Sequence, residues 1–382
     1  MKIVRIDVYR IALPFSARRA QQEDATDREV DPFNAASPTL KQMESLMVRV
    51  QTDSGLTGWG ESFGHHINPV TFEALKGRVG QFFLGSDIRY DARGYPVRTL
   101  DAEHAFYEFG ATGPVTFALS AFDTALWDLR AQTEGVPLYR LLGASSGTVR
   151  CYASLPSYAN DPHEVARQVA LARRLGFDAV KLHETTPEAV LAARTALPAP
   201  ASLMVDVNCA WTIPQARQAL DGMRAASIQW IEEPVWPPND LAGLTACRQT
   251  GTPVAAGENA AGLLDLIRHM ETGAIDIAQP SLAKIGGVTA MLQVIESARQ
   301  HRVEVMPHCF YYGAGLSATA HIVAALGPDC ALEAPLLDWP TPLHAHQQPT
   351  PTLTLSDQPG IGFAPDWAVL ESHLIDSAVL SG

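Results

Sequence analysis

The chain has 382 residues, 47% of them apolar and 18% charged, so it can bury a large core and is not globally disordered. Its length suits two or three domains. The net charge of −13, without any Lys/Arg-rich run, excludes nucleic acid and anionic membrane as expected partners. It leaves open a small anionic substrate held at a local cationic site.

The start, MKIVRIDVYRIALPF, reads as a strand, because charges interrupt every apolar stretch. No window is long and apolar enough to span a membrane. The next segment, LPFSARRAQQEDATDREVDPFNAASPT, is polar and contains three prolines, which predicts a long loop. SLMVRVQTDSGLTGWGES then predicts two strands joined at Asp53-Ser54-Gly55. TFALSAFDTALWDLRAQTEG has the apolar stripe of a helix, with Gly135 as its stop.

From about residue 150 short apolar runs alternate with amphipathic helical patterns. The runs are VRCYAS, DAVKLH, LMVDVN, QWIEEP, PVAAGE, IDIAQPS, VEVMPH and CALEAP. Eight strand–helix units in about two hundred residues predict a parallel (β/α)8 barrel. The expected organisation is an N-terminal α+β cap over 1–130 and a barrel over 131–345. A C-terminal segment, 346–382, carries a hairpin-like LTLSDQPGIGFAPD and returns to the cap.

Each run ends in polar residues, and in a closed barrel those ends meet at one mouth. Run two ends in Lys181 and His183, which alternation puts on one side of the strand. Later runs bring Asp206 and Asn208, Glu232 and Glu233, Glu258, Gln279 and Ser281, His308 and Glu333. Asp206, Glu232 and Glu258 are evenly spaced: 232 less 206 and 258 less 232 both give 26. One carboxylate per βα unit sets three acids side by side, where they repel unless a cation joins them. All-oxygen ligation favours Mg²⁺, and Mn²⁺ fits the same ligands. Three acids in separate salt bridges is the weaker reading.

The succession VDVN, WIEEP, AGEN, KIGG and a late His resembles the enolase superfamily in its mandelate racemase-like branch. The likeness extends to GLTGWGES and SAFDTALWDL before the barrel and PGIGF after it. It implies a modified (β/α)8 TIM barrel with a capping domain completed by the tail. It implies that Asp206, Glu232 and Glu258 bind the metal and that Glu233 is structural. It also implies abstraction of the proton α to a substrate carboxylate, through an enediolate, by a Lys or His base.

The family places Lys-x-Lys at the end of the second strand, and this chain has Lys181-Leu182-His183. Lys181 then holds the substrate carboxylate and His183 takes the base position. His308 matches the histidine on the opposite face. Glu333 matches the acid that donates a hydrogen bond to the enediolate, with a carboxyl raised by burial and like charges. The family's Asp behind the strand-seven histidine is replaced here by Ser281. A hydroxyl orients His308 but stabilises its imidazolium less than a carboxylate does.

Unequal histidines favour dehydration of an acid sugar to a 2-keto-3-deoxy acid. One histidine abstracts the α-proton and the other, His308 before His183, protonates the leaving hydroxide, with the assignment of the two left open by the sequence. Alternatives are a racemase or epimerase of a 2-hydroxy or amino acid, a Schiff-base aldolase at Lys181, and a barrel that binds without turnover. Arg18, Arg19, His65 and His66 lie on cap segments that the resemblance folds over the mouth. There they would bind a polyol, or the distal carboxylate of a diacid, or lie as solvated surface. Asn208 and Ser281 are further substrate-binding candidates. HETTPEAV lacks the second His of a zinc-protease signature, and no P-loop or dinucleotide fingerprint is present. The Gly286-Gly287 pair suits close helix packing. Five scattered cysteines without C-x-x-C suit a reducing cytoplasm, and Cys209 and Cys309 read as packing. The expected partners are a small carboxylate, a sugar acid or diacid, and further copies of the chain.

Overall fold

The computed structural model describes residues 1–19 and 36–382. Most of the long polar loop expected before the first hairpin lies outside the described residues.

The chain opens with three antiparallel strands, β1 (Ile3–Pro14), β2 (Gln42–Thr52) and β3 (Thr57–Ser62). The turn falls at Asp53–Leu56, where Gly55 adopts φ +84° and its N–H reaches Thr52 O. Helix Pro114–Thr133 packs on this sheet. It approaches so closely that a Cβ on Gly60 would lie 1.9 Å from Ala121 O. Phe83 and Phe122 stack in the same core, with centroids 4.2 Å apart.

Eight parallel strands follow: β4 (Thr148–Ser154), β5 (Ala179–Leu182), β6 (Ser202–Asp206), β7 (Ile231–Glu232), β8 (Val254–Ala256), β9 (Ile277–Ala278), β10 (Glu304–Val305) and β11 (Leu332–Pro335). Each lies within one of the eight apolar runs to within a residue at its start. They pair in chain order from β4 to β10, and β11 pairs with β4. Between β10 and β11 no strand ladder forms; Cys330 Sγ donates to Val305 O at 3.4 Å and Ala331 N reaches Met306 Sδ. The crossover helices bring their own caps. Asp161 accepts from the N–H groups of His163 and Glu164, and Thr212 forms a capping box with Gln215.

The tail divides its loyalties. The start of the hairpin-like piece gives β12 (Thr352–Thr354), which pairs with β4 on the barrel. The tail returns to the cap at Ile361, whose N–H donates to Asp128 Oδ1 at 2.9 Å, at Phe363, edge-on to Trp59 at 5.3 Å, and at β13 (Leu374–Ser381), which pairs with β1 to give the cap order β13-β1-β2-β3.

Three contacts fix the cap over the strand ends. Phe63 N donates to Ala283 O at 3.2 Å. Buried Glu61 accepts from Ser45 Oγ at 2.5 Å and Gly315 N at 2.8 Å. Ser16 and Asp338 exchange backbone hydrogen bonds at 2.9 and 3.0 Å. Among the described residues no helix is long and apolar enough to cross a membrane.

Candidate active site

Strand alternation does put Lys181 and His183 on one side, and their shared neighbour is Asp206. Its Oδ2 lies 3.6 Å from Lys181 Nζ and 3.3 Å from His183 Nε2. Lys181 is fully buried and also meets both Glu232 oxygens at 3.0 Å and Glu333 Oε1 at 2.8 Å. Its positive charge therefore serves three carboxylates at once.

Asp206 and Glu232 are register partners on β6 and β7. Glu258 follows β8 after Gly257, whose φ of +142° turns the chain at the strand end. One oxygen from each of Asp206, Glu232 and Glu258 lies within 4.8 Å of the others, so the evenly spaced acids do converge. One ammonium does not neutralise such a group. Burial, and then the Asp206 charge, push the Glu232 carboxyl well above its ordinary range. Burial acts the same way on Asp206, but Lys181 and His183 hold that carboxyl below its usual value. A proton or a cation must supply the missing charge. Three converging oxygen donors with one carboxyl forced towards protonation fit a hard divalent ion.

The two histidines face different members of this group. His183 Nδ1 lies 2.5 Å from Leu155 O, so that nitrogen carries a proton, and Nε2 lies 3.3 Å from Asp206 Oδ2. His308 Nε2 lies 3.6 Å from Glu258 Oε2. Burial lowers the His308 pKa, and the Glu258 carboxylate opposes that shift. Ser281 does not orient His308 as expected. Although the two residues form a backbone bridge, Ser281 Oγ and His308 Nδ1 are both buried without a hydrogen-bond partner. The serine side chain is too short to do the work of a carboxylate. Ring packing holds His308 instead, with Phe63 at 5.9 Å and Tyr311 at 6.1 Å between centroids.

Glu333 differs from expectation. Burial alone would raise its carboxyl, but Lys181 at 2.8 Å, His308 and the Cys309 N–H hold it down to about 2. It is an ionised acceptor, also bonded by Ser154 Oγ at 2.7 Å, and not a protonated donor. Glu233 faces away from Lys181 and accepts from Asn259 N at 2.9 Å and Nδ2 at 2.6 Å, which ties down the loop after β8.

Of the cap candidates, His65 is the one drawn into the site. Its Nε2 is buried without a partner, its ring stands edge-on to Phe63 at 4.6 Å, and its charge interactions are with Glu258, Lys284, His66 and His308. Burial drives its pKa down to about 3, so the ring is neutral. His66 is exposed. Asn208 N donates to Asp206 Oδ1 at 2.8 Å, and the Asn208 backbone is left-handed at φ +46°. The Arg18 guanidinium pairs with Asp338. Arg19 donates to Ser157 O at 2.8 Å and lies over the Tyr158 ring.

Three further polar residues of this region were given no role by the sequence. Lys284 Nζ reaches Glu258 Oε1 at 3.4 Å and Asn259 Oδ1 at 2.9 Å; its only trace was the K of KIGG. Gln279 Nε2 donates to Glu232 Oε2 at 2.8 Å. Glu184, beside His183, accepts from Tyr158 N and Asn160 N at 2.5 and 2.6 Å, and burial raises it to about 7.

Comparison with known proteins shows the family of the chain. Residues 164–369 match the domain family described as "Enolase C-terminal domain-like". Residues 20–143 match the N-terminal domain of mandelate racemase / muconate lactonizing enzyme. The chain is 30% identical to a D-galactarolactone cycloisomerase of Agrobacterium fabrum, over 78% of this chain and 79% of that one. It is 29% identical to an L-talarate/galactarate dehydratase of Salmonella typhimurium, over 85% and 81%. The fold superposes on a crystal structure of L-talarate dehydratase from Polaromonas sp. JS666, complexed with Mg and L-glucarate. The TM-score is 0.81 at 23% identity, covering 100% of this chain and 99% of that one.

Proposed function

The chain belongs to the mandelate racemase / muconate lactonizing enzyme family of the enolase superfamily, and from that premise we propose that it is an acid-sugar dehydratase. The reaction removes the proton α to a carboxylate and expels the β-hydroxyl as water. The enol so formed becomes a 2-keto-3-deoxy acid. The observation that carries this reading is the unequal pair of histidines: His183 has its tautomer fixed by Leu155 O, and His308 has an unpartnered Nδ1.

Asp206, Glu232 and Glu258 would hold Mg²⁺, the ion in the Polaromonas structure. When bound it supplies positive charge where the substrate carboxylate becomes an enediolate. Lys181 adds a fixed ammonium beside the same group. His183 Nε2, which faces the carboxylate cluster, takes the α-proton. His308, in its protonated form and opposite Glu258, gives a proton to the departing hydroxide. One histidine gains a proton and the other loses one, and exchange with solvent resets both. His65 Nε2 hydrogen-bonds a substrate hydroxyl.

Two histidines across the carboxylate cluster also suit a racemase, and one experiment separates the readings. Proton NMR in D2O with Mg²⁺ and a panel of sugar acids should show loss of substrate and growth of a 2-keto-3-deoxy product. His183→Asn should abolish both exchange and dehydration. His308→Asn should keep α-exchange while slowing dehydration by about 100-fold or more. Inverted, α-deuterated substrate without elimination would overturn the dehydratase in favour of a racemase. The five cysteines are unpaired and four are buried, which suits a reducing compartment.

A further inference from the structure

His183 lies just past β5, whose ladders with β4 and β6 run only to Lys181 and Leu182. The ring is held from the neighbouring loop, where its Nδ1 donates to Leu155 O at 2.5 Å. That loop, residues 155–160 after β4, contains two left-handed residues that are not glycine, Ala159 at φ +58° and Asn160 at φ +61°. A Cβ makes this conformation costly, so contacts outside the loop must hold it.

Glu184 and Asn160 supply those contacts by each reaching into the other's segment. Glu184 is buried, and its two oxygens accept from Tyr158 N at 2.5 Å and Asn160 N at 2.6 Å. Asn160 Oδ1 accepts in return from Thr185 N at 2.6 Å and Thr186 N at 3.1 Å. Four backbone N–H groups, two on each side of His183 and its acceptor, are thereby satisfied. Both carboxylate oxygens are used as acceptors; a Gln amide offers only one. The outer side of the loop is held independently by the cap. Ser157 N donates to Ala36 O at 2.8 Å, and Tyr158 Oη donates to Ala17 O at 3.2 Å.

We propose that Glu184 and Asn160 are positioning residues for the base: their clasp fixes the backbone on both sides of the Nδ1–Leu155 hydrogen bond, and with it the orientation of His183. The inference rests on the reading of His183 as the α-proton base above and adds to it.

The test uses the full-length, Mg²⁺-loaded protein at pH 8, above the value of about 7 to which burial raises Glu184. Two variants break opposite halves of the clasp. Glu184→Gln leaves one of the two N–H groups unmet. Asn160→Gly keeps the left-handed backbone and the Glu184 charge, and removes only the acceptor for Thr185 and Thr186. The probes are D-galactonate, D-gluconate, D-xylonate and galactarate. In both variants α-proton exchange in D2O should slow by about tenfold or more, while the dissociation constant of the same probe stays within about threefold of the parent. The downfield imidazole N–H resonance that His183→Asn deletes should broaden or vanish in both.

Variants that melt at lower temperature but exchange at the parental rate would make the clasp merely structural and overturn the proposal. A loss confined to Glu184→Gln would also overturn it, by assigning the effect to charge. If Glu184→Gln does not fold, Asn160→Gly decides alone. A parent that exchanges no α-proton with any probe would overturn the dehydratase reading instead. The N–H resonance would then decide the clasp: unchanged in both variants it overturns the proposal, and lost in both it supports it.

Discussion

Lys181 Nζ and Glu333 Oε1 stand 2.8 Å apart, and both side chains are completely buried. The ammonium also meets both oxygens of Glu232, so it is the positive hub of the barrel floor. Removing one partner of a buried ion pair leaves the other charge uncompensated, at a cost of about 3–5 kcal/mol. Lys181→Met should therefore lower stability by about that amount, read from denaturant midpoints in metal-free buffer. Lys181→Met with Glu333→Leu should recover part of the loss. A single variant as stable as the parent would show that the pair is energetically idle.

Divalent ions should act on the same cluster from the other side. Chelation should lower the melting temperature, and Mg²⁺ at 100-fold excess over its Kd should restore about 2.7 kcal/mol. Glu232→Gln should abolish that gain, because a neutral amide no longer needs the cation. Retained stabilisation in Glu232→Gln would place the ion elsewhere.

His308 lacks the acidic partner that the family places behind it, and burial lowers its pKa. Ser281→Asp would set a carboxylate beside Nδ1 and favour the imidazolium. The high-pH limb of the dehydration profile, where His308 loses its proton, should move to higher pH. Turnover above pH 7 should rise by about tenfold. The pH-rate profile of the variant checks this, and a limb that does not move would remove His308 as the acid.

His321 gives a stability switch with a defined sign. Its Nδ1 accepts from Tyr139 N at 2.9 Å and its Nε2 donates to Ile361 O at 3.2 Å, so the folded ring is neutral. Burial lowers its pKa from 6.5 to about 4. The unfolded chain then binds a proton that the folded chain refuses between those values. The stabilisation is complete above pH 6.5 and is lost as pH falls towards 4, by up to about 3 kcal/mol. Buried Glu61 and Asp123, both raised to about 7, slope the other way. The informative quantity is thus the difference between the parent and His321→Gln, whose stability should fall less steeply with acid over that window.

Gly287 is one of the points where barrel and cap touch closely. Its φ is +76°, and a Cβ there would lie 2.6 Å from Asp123 Oδ2. Asp123 in turn accepts from Thr289 N at 2.8 Å and Thr289 Oγ1 at 2.6 Å. Gly287→Ala should cost about 2 kcal/mol or more through left-handed strain and overpacking. A thermal melt indistinguishable from the parent would exclude that clash.

Much of this molecule is local and was therefore legible in the chain. Each apolar run is a strand because a buried parallel strand needs a continuous apolar stretch, and CALEAP or LMVDVN supplies one. Asp206, Glu232 and Glu258 converge because a constant repeat length carries each strand end to the same rim. The side of the strand that Lys181 and His183 share follows from alternation alone.

The properties of individual groups followed from neighbours far away in sequence, which no local pattern encodes. Glu333 is ionised because β11 and β5 both flank β4, bringing Lys181 within 2.8 Å; read by itself, it looked like an acid raised by burial. Ser281 and His308 are adjacent yet unbonded, a matter of side-chain reach decided by packing. Arg18 is neutralised by Asp338, 320 residues away, and Lys284 by Glu258. The sequence by itself determined which strands form, which acids meet and which chemistry is available, because those depend on periodicity along the chain. Only the tertiary structure decided which of those groups are charged, which are free to bind and which are already spoken for, because electrostatic state depends on burial and on distance through space.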